Sequence, residues 1–332
     1  MEYRFSHRVY RLPFRTPVRT SHGLWAERTG VWVRLEDETG KVGFGEAAPI
    51  PWFGTENVED IDAACRTLGE NVTDHLLDAV PTTLGCLKNA LNAARAGELS
   101  PPEDLAARQV AGLLPAGPGA LDAIREKLEV GFRVFKWKVG VGDAADEMGL
   151  LDDLCGELPD GAKIRLDANG AWDRRTAERW LARCAERPVE FVEQPVTPEA
   201  ADLLRGLAED YPTPLALDES IVRDGDVTRW LSDGWPGYYV IKTALLADPD
   251  AVLAALKKAS AKVVFSSALE TAIGAQATLR HAFAWTGSKH ALGFGVWPLY
   301  ENHVLNGPTA LPFVRWDEVK ALNPEAAWNA LS

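Results

Sequence analysis

Apolar and polar positions alternate along the first part of the chain. The run 31–35 places successive side chains on opposite faces, and Thr39-Gly40 marks a turn before the next such run, 42–45. A period of two predicts half-buried β-strands, and a turn between two alternating runs predicts an antiparallel pair. We therefore expect an antiparallel meander over residues 3–46.

The pattern then changes to the spacing of amphipathic helices. Two helices are predicted, over 58–69 and 82–96, and the second carries an apolar stripe that includes Leu87 and Leu91. The segment 100–102, Ser-Pro-Pro, is the best candidate for a domain boundary. Residues 1–100 are thus predicted to form a small α+β capping domain.

Beyond this boundary, short apolar runs alternate with helical patterns. Eight strands are predicted, at 110–114, 134–139, 164–167, 189–193, 215–218, 238–242, 262–266 and 291–293. Seven helical patterns separate them, which is typical of a (β/α)7β TIM-like barrel. We assign residues 101–300 to this α/β barrel and residues 301–332 to a C-terminal tail that packs back on the capping domain.

Three of the predicted strands end in an acid. Asp167, Glu193 and Asp218 follow one another at spacings of 26 and 25 residues, about the length of one strand–helix unit. The carboxyl ends of parallel strands meet at one mouth of a barrel. Two carboxylates ~4 Å apart repel by roughly 4 kcal/mol at an effective dielectric constant of ~20, so a cation or protons must compensate. An oxygen-only ligand set favours Mg²⁺, with Mn²⁺ as a substitute. The alternative is that each acid is simply a polar strand end.

Lysines mark two other strands. Lys136 and Lys138 lie two apart on predicted strand two and therefore share a face, and Lys242 ends strand six. In a closed barrel strands two and six are diametrically opposite, so Lys138 and Lys242 are expected to face each other across the three acids. Neighbouring ammonium groups lower each other's pKa, which would produce a usable base. The alternative for each strand is a surface lysine.

Composition narrows the class of protein. The 332 residues include 35 Lys and Arg against 48 Asp and Glu, a formal net charge of −13. An acidic surface argues against nucleic-acid and anionic-membrane partners. The four cysteines show no C-x-x-C spacing, so we expect buried free thiols in a reducing compartment. No apolar run approaches ~20 residues and the amino terminus does not read as a signal peptide, so we expect a cytoplasmic protein.

A metal flanked by two lysines suits the removal of a proton from carbon next to a carboxylate. With these residues in place, the chain resembles the muconate-lactonizing branch of the enolase superfamily along nearly its whole length. The motifs that carry the resemblance are Lys136-Trp137-Lys138, Asp167-Ala168-Asn169, Glu193-Gln194-Pro195, Asp218-Glu219-Ser220 and Lys242. Within that branch, the segments 45–49, 266–271 and 292–295 resemble the o-succinylbenzoate synthase family of menaquinone biosynthesis.

The resemblance implies a Mg²⁺-dependent dehydration of 2-succinyl-6-hydroxy-2,4-cyclohexadiene-1-carboxylate, a small carboxylate substrate. Lys138 would remove the proton next to the carboxylate and then assist the departure of hydroxide, while Lys242 would stay charged. Asn169 and Glu219 would lie near the metal. Arg165 shares a strand face with Asp167, so it either enters the polar layer below the ion or forms a salt bridge within the barrel.

Other candidates have weaker signals. Ser266 and Ser267 could donate hydrogen bonds to a substrate or could simply form a turn, and Gly293 could allow close approach of a ligand or could serve turn geometry. Glu270 could cap the next helix. A loop at 22–25 resembles one that covers the pocket in the family, whereas His22 would otherwise be an ordinary loop histidine. The pair 52–53, Trp-Phe, could wall the pocket or pack between domains.

Two alternative functions are also compatible with these residues. The same fold and site could racemize N-succinylamino acids or epimerize dipeptides, in which case Lys242 must also transfer a proton. A non-catalytic binding barrel is the second alternative, and it predicts an interrupted ligand set. The sequence does not indicate an oligomeric state.

Overall fold

The amino-terminal part of the chain is an antiparallel sheet, as predicted. The computed structural model describes residues 1–20, 23–97 and 102–331. The strands are β1 (Glu2–Thr20), β2 (Gly23–Asp37), β3 (Val42–Ala47) and β4 (Asn71–Thr73), in the spatial order β3-β2-β1-β4. The pair β1 and β2 is a long hairpin with an irregularity between Pro13 and Val18.

Three helices pack against this sheet: α1 (Val58–Leu68), α2 (Asp74–Asp78) and α3 (Gly85–Ala96). The contact between β3 and α3 depends on two glycines. A Cβ on Gly43 would lie 1.8 Å from the carbonyl oxygen of Ala94, and one on Gly45 would lie 1.9 Å from that of Ala90. Close approach of this helix to the sheet therefore requires glycine at both positions. The predicted boundary at 100–102 includes residues outside the described part.

Strand–helix units form the second part of the chain. The strands are β5 (Arg108–Gln109), β6 (Gly112–Leu114), β7 (Val134–Lys138), β8 (Lys163–Asp167), β9 (Val189–Glu193), β10 (Leu215–Leu217), β11 (Tyr238–Ile241) and β12 (Lys262–Phe265). The helices are α4 (Gly119–Val130), α5 (Ala144–Glu157), α6 (Arg174–Cys184), α7 (Ala201–Asp210), α8 (Asp224–Ser232), α9 (Pro249–Lys258) and α10 (Ala272–Ala284). In the described residues, β6 to β12 form one parallel sheet in sequential order, the pattern expected of a barrel.

The eighth strand predicted at 291–293 is reduced to single bridging pairs. Leu292 pairs with Val110 on one side, and Gly293 pairs with Ser266 on the other. Backbone hydrogen bonds reinforce both pairs, including one from Gly293 N to Phe265 O at 2.7 Å. These residues connect the two edges of the sheet, so the predicted (β/α)7β barrel with an α+β cap is confirmed.

The inner face of the barrel is lined near its amino-terminal end by a small apolar cluster and, above it, by polar residues. Phe191, Ala216, Val240 and Val264 form that cluster. Two positions further along the chain lie Glu193, the last residue of β9, and Asp218, Lys242 and Ser266, which directly follow β10, β11 and β12. Alternate residues of a strand lie on the same face. These four side chains therefore point to the interior of the barrel like the apolar cluster, but at the carboxyl ends of the strands.

The tail contacts both parts of the molecule. Strand β13 (Phe313–Val314) pairs with β5, and helices α11 (Trp316–Lys320) and α12 (Pro324–Asn329) follow. Trp328 in α12 lies against the cap, where Arg8 stacks on its ring at 4.5 Å. The four cysteines are free thiols, with Cys155 half-buried and the others buried. Of the helices that the structure describes, none combines the length and apolar character needed to cross a membrane.

Candidate active site

Three acids lie side by side at the carboxyl ends of neighbouring strands. Asp167 and Glu193 are the last residues of β8 and β9 and pair in register, and Asp218 follows β10 directly. They are 7%, 1% and 6% exposed, respectively. The structure therefore brings together the three predicted metal ligands in a buried cluster.

Lys136 holds two of these acids. Its Nζ lies 2.8 Å from Asp167 Oδ2 and 2.8 Å from Glu193 Oε1, so the two oxygens are at most twice that distance apart. Burial opposes the charged form, but the charges of the carboxylates outweigh it and raise the pKa of Lys136. The prediction that Lys136 and Lys138 lower each other's pKa is wrong for Lys136, which the acids keep protonated.

Lys242 holds the third acid. Its ammonium group donates to Asp218 Oδ1, and the Phe53 ring lies over it at 5.4 Å. Burial raises the pKa of Asp218, but Lys242 and then Lys136 outweigh this effect and lower it. One acid thus contacts Lys242, and the other two contact Lys136. Among the described residues, no group of three His, Cys, Asp or Glu side chains is already arranged to hold a metal ion.

The donor set nevertheless fits a divalent cation. Burial raises the pKa of Glu193 well above its usual value, because a buried carboxylate is disfavoured unless positive charge balances it. A cation bound by the three carboxylates would supply that charge, and hard oxygen ligands suit Mg²⁺. Such binding would require Lys136 and Lys242 to give up part of their present contacts.

A cavity of about 630 Å³ is lined by Asp167 and Asp218 together with Lys138 and Lys242. Lys138 ends β7 and pairs in register with Asp167. Burial is the largest effect on Lys138 and lowers its pKa, and the charge of Lys136 acts in the same direction. In the described sheet β7 and β11 are four strands apart, so the two lysines flank the acids, as predicted.

Asn169 and Glu219 extend the cluster. Asn169 Nδ2 donates to Glu219 Oε1 at 3.0 Å, and Asn169 Oδ1 and Glu219 Oε2 are buried without a hydrogen-bond partner. Burial, followed by the charges of Asp218 and Asp167, raises the pKa of Glu219 to about 7. Two orphaned acceptor oxygens beside three carboxylates are a further indication that a cation or its hydration water belongs here.

Arg165 does not join this cluster. Its Nε donates to Glu190 Oε2 at 2.7 Å and its Nη1 to the carbonyl oxygen of Ala291 at 2.8 Å. Ile164 pairs with Val189 and Arg165 with Phe191, so Glu190 is an extra residue that bulges from β9. The bulge gives Arg165 a buried carboxylate partner, and the geometry supports the salt bridge rather than a position below the metal.

The serines after β12 have different surroundings. Ser267 Oγ donates to Glu270 Oε2 at 2.9 Å and accepts from Leu269 N at 2.9 Å, so the structure makes Ser267 a turn former. Ser266 lines the cavity. A Cβ on Gly293 would lie 2.6 Å from Ser266 Oγ, and the glycine therefore accommodates Ser266. Ser267 and Gly293 also line the cavity, so contact of these residues with a substrate stays a prediction.

The cap closes the other side of the cavity. Trp25 and the pair 52–53 line it, and a second cavity of about 930 Å³ lies beside it between Trp52 and Gly170. Trp25 and Trp52 meet edge to face, with ring centroids 4.7 Å apart. The predicted loop at 22–25 is partly wrong, because Gly23 and Trp25 belong to β2. His22 lies outside the described residues.

Gln194 has a role in the site that the motif Glu193-Gln194-Pro195 did not predict. Gln194 is fully buried, and its Oε1 accepts from Asp218 N and Ser220 N, both at 3.1 Å. Its Nε2 donates to Ser220 Oγ at 2.8 Å. Gln194 thus ties the end of β9 to the residues after β10 and holds Asp218 in place. Its position directly after Glu193 was the available signal.

Comparisons with known proteins agree with this geometry. The family model described as Enolase C-terminal domain-like matches residues 120–311. The o-succinylbenzoate synthase of Thermosynechococcus vestitus is 40% identical over 298 residues, which cover 88% of this chain and 92% of that protein. A hydrophobic dipeptide epimerase of Roseobacter litoralis is 32% identical over 68% of this chain and 70% of its own length.

A solved structure extends the similarity to the whole fold. The o-succinylbenzoate synthase from Thermosynechococcus elongatus BP-1, complexed with Mg in its active site, superposes with a TM-score of 0.84 at 36% identity, covering 99% of this chain and 98% of that chain. A capped (β/α)7β barrel with three acids between two lysines defines a member of the enolase superfamily. Within it, the chain belongs to the family of the o-succinylbenzoate synthases.

Proposed function

We propose that this protein is an o-succinylbenzoate synthase, a hydro-lyase of menaquinone biosynthesis. The observation that carries the proposal is that Lys138 and Lys242 line one cavity from opposite sides of the acid cluster. The 40% identity to a synthase over 88% of the chain supports the choice of substrate. The substrate is 2-succinyl-6-hydroxy-2,4-cyclohexadiene-1-carboxylate, and the products are 2-succinylbenzoate and water.

The reaction needs one base and one stable cation from the chain. Lys138, whose pKa burial lowers, takes the proton from the ring carbon that bears the carboxylate. The protonated Lys138 then gives that proton to the departing hydroxyl group of the adjacent carbon, and the electron pair of the broken C–H bond completes the aromatic ring. Lys242 stays charged and stabilises the negative charge that develops on the carboxylate. No oxidant or reductant is required.

Mg²⁺, or Mn²⁺ in its place, would be held by Asp167, Glu193 and Asp218, and when bound it supplies positive charge next to the substrate carboxylate. Asn169 and Glu219 line the same cavity, and each has one buried oxygen without a hydrogen-bond partner. Lys136 bridges two of the acids and keeps them in place. We assign Lys136 to the support of the ligands rather than to proton transfer.

The experiment is an ultraviolet assay for the aromatic product, run with and without a chelator. We expect turnover that the chelator removes and Mg²⁺ restores. Lys138→Ala should lower kcat by roughly 10²–10⁴-fold, the usual worth of a general base. Lys163→Ala is the matched control, because Lys163 is exposed at the opposite end of β8. Full activity in Lys138→Ala would contradict the proposal.

A second candidate is proton transfer between two faces of one carbon, as in a dipeptide epimerase. The observation that favours it is that Lys242 lines the same cavity as Lys138, which two-base chemistry also requires. In that reaction Lys242 must lose and regain a proton, whereas in this structure its ammonium group is engaged in an ion pair with Asp218. We therefore place dehydration first, and the Lys242 variant described below separates the two reactions.

A further inference from the structure

A carboxylate of the capping domain caps a helix of the barrel. Glu46 lies in β3 and is 2% exposed. Its Oε2 accepts from Gly274 N at 2.8 Å and from Thr271 Oγ1 at 2.5 Å, and both carboxylate oxygens lie 3.0 Å from Thr271 N. These donors form the amino-terminal turn of α10, where N–H groups lack partners within the helix. Thr271 itself makes no capping hydrogen bond, so Glu46 replaces it, 225 residues away in sequence.

The position of Glu46 is specified from both domains. Tyr10 in β1 donates its hydroxyl to Glu46 Oε1 at 2.5 Å. On the barrel side, a Cβ on Gly274 would lie 2.9 Å from Glu46 Oε2 and 2.8 Å from Glu270 Cβ. Glycine at 274 is therefore what allows the carboxylate to reach the helix backbone. An ionised group near a helix amino terminus also interacts favourably with the helix dipole.

The capped turn continues directly into the wall of the active-site cavity. The preceding residue, Glu270, is fully buried, and its Oε2 accepts from Ser267 Oγ at 2.9 Å and from Ala268 N at 2.6 Å. Leu269, which lies between Ala268 and Glu270, adopts φ of +61°. This left-handed conformation costs energy for a residue with a branched side chain. Tyr300 donates its hydroxyl to the carbonyl oxygen of Leu269 at 3.0 Å. The segment 266–269 lines the cavity.

We propose that Glu46 is a positioning residue, through which the capping domain sets the shape of the 266–269 wall and thereby the fit of the substrate. The inference rests on the proposed function for its choice of substrate. Glu46 does not line the described part of the cavity, so it acts through Thr271 and the turn before it. A wall that contacts the substrate equally in the ground state and in the transition state affects KM more than kcat.

The test compares Glu46→Gln with Glu190→Gln, which removes a buried carboxylate of the same type at the amino-terminal end of the barrel. Steady-state kinetics, Mg²⁺ titration, thermal unfolding and hydrogen–deuterium exchange are measured on the full chain. For Glu46→Gln we expect KM to rise roughly tenfold, as for the loss of one charge-assisted hydrogen bond, with kcat changed less than about threefold and Mg²⁺ affinity unchanged. Amide exchange over 267–275 should accelerate. Glu190→Gln should lower the melting temperature without changing KM or that exchange.

The inference is overturned if both variants lower the melting temperature while KM and exchange over 267–275 stay at wild-type values, because Glu46 would then be structural only. Thr271→Val removes a single hydrogen-bond donor to Glu46 and replaces Glu46→Gln in the test if that variant does not fold. It should raise KM by a smaller factor. An unchanged KM and an unchanged exchange rate would count against the inference. Absence of turnover in the wild type would reject the proposed function alone, since hydrogen exchange still decides the role of Glu46.

Discussion

Lys136 and Asp167 stand on neighbouring strands, and 2.8 Å separates the ammonium nitrogen of the first from a carboxylate oxygen of the second. The same nitrogen reaches Glu193. Two of the acids proposed to hold the metal ion therefore already share one ammonium group, which keeps their carboxylates close together. This arrangement gives Lys136 a role that the strand pattern alone did not predict.

Replacement of Asp167 tests the metal site. Asp167→Ala removes one of three carboxylates and leaves Lys136 with one partner, so we expect the affinity for Mg²⁺ to fall by at least roughly tenfold. Isothermal titration with Mg²⁺ measures it. Asp160→Ala is the control, because Asp160 is exposed in the turn before β8 and should leave the affinity unchanged. Wild-type affinity in Asp167→Ala would mean that the three acids do not hold the ion.

Replacement of Lys242 distinguishes dehydration from racemization. Lys242→Arg keeps a cation next to Asp218 but cannot readily give up a proton. We expect measurable dehydration to survive, reduced because the larger guanidinium must fit beside Phe53, and we expect racemization of an N-succinylamino acid to be lost. Product absorbance and optical rotation follow the two reactions. Equal loss of both reactions would contradict the assignment of Lys242 as a stable cation.

The loss of folding stability at acidic pH should depend on Glu190. Burial works against its ionised form, but the hydrogen bond with His290 and the charge of Arg165 outweigh it and lower the pKa of Glu190 to about 2. A carboxyl whose pKa is lower in the folded state stabilises the fold above its unfolded pKa, and this contribution is lost as the pH falls through about 2.

Glu190→Gln should therefore lower the free energy of unfolding at pH 7 by about 3 kcal/mol. The difference from wild type should shrink between roughly pH 4.5 and pH 2, the window set by the two pKa values. Urea unfolding at several pH values measures it. Glu157→Gln is the control, because the pair between Glu157 and Arg125 is at the surface and exposed pairs contribute little. A pH-independent difference would show that Glu190 acts only through packing.

The sequence predicted what local patterns determine. Each acid of the cluster ends an apolar run, and a period of two places Lys136 and Lys138 on one face of their strand. The ends of the strands and the face on which each side chain lies could therefore be predicted without knowledge of any tertiary contact. The bulge at Glu190 could not be predicted, because an extra residue in a strand has no compositional signature. This bulge nevertheless decides whether Arg165 has a carboxylate partner. The same holds for Glu46, whose partners lie 225 and 228 residues away.

One added methyl group at the contact between the capping domain and helix α10 should lower the free energy of unfolding. Gly274→Ala places a Cβ 2.9 Å from Glu46 Oε2 and 2.8 Å from Glu270 Cβ, distances that require a displacement inside a buried cluster. Alanine normally stabilises a helix interior relative to glycine by up to about 1 kcal/mol. Here we expect the opposite sign, a loss of roughly 1–3 kcal/mol, as for overpacking elsewhere.

Gly206→Ala in α7 is the matched control for that substitution. Gly206 is also inside a helix, and a Cβ there would meet no heavy atom within 4 Å, so the ordinary preference for alanine should raise the free energy of unfolding. Chemical denaturation of both variants under one set of conditions gives the comparison. Because the same substitution is predicted to have opposite signs at the two sites, stabilisation by Gly274→Ala would show that the contact between Glu46 and α10 is looser than the structure describes.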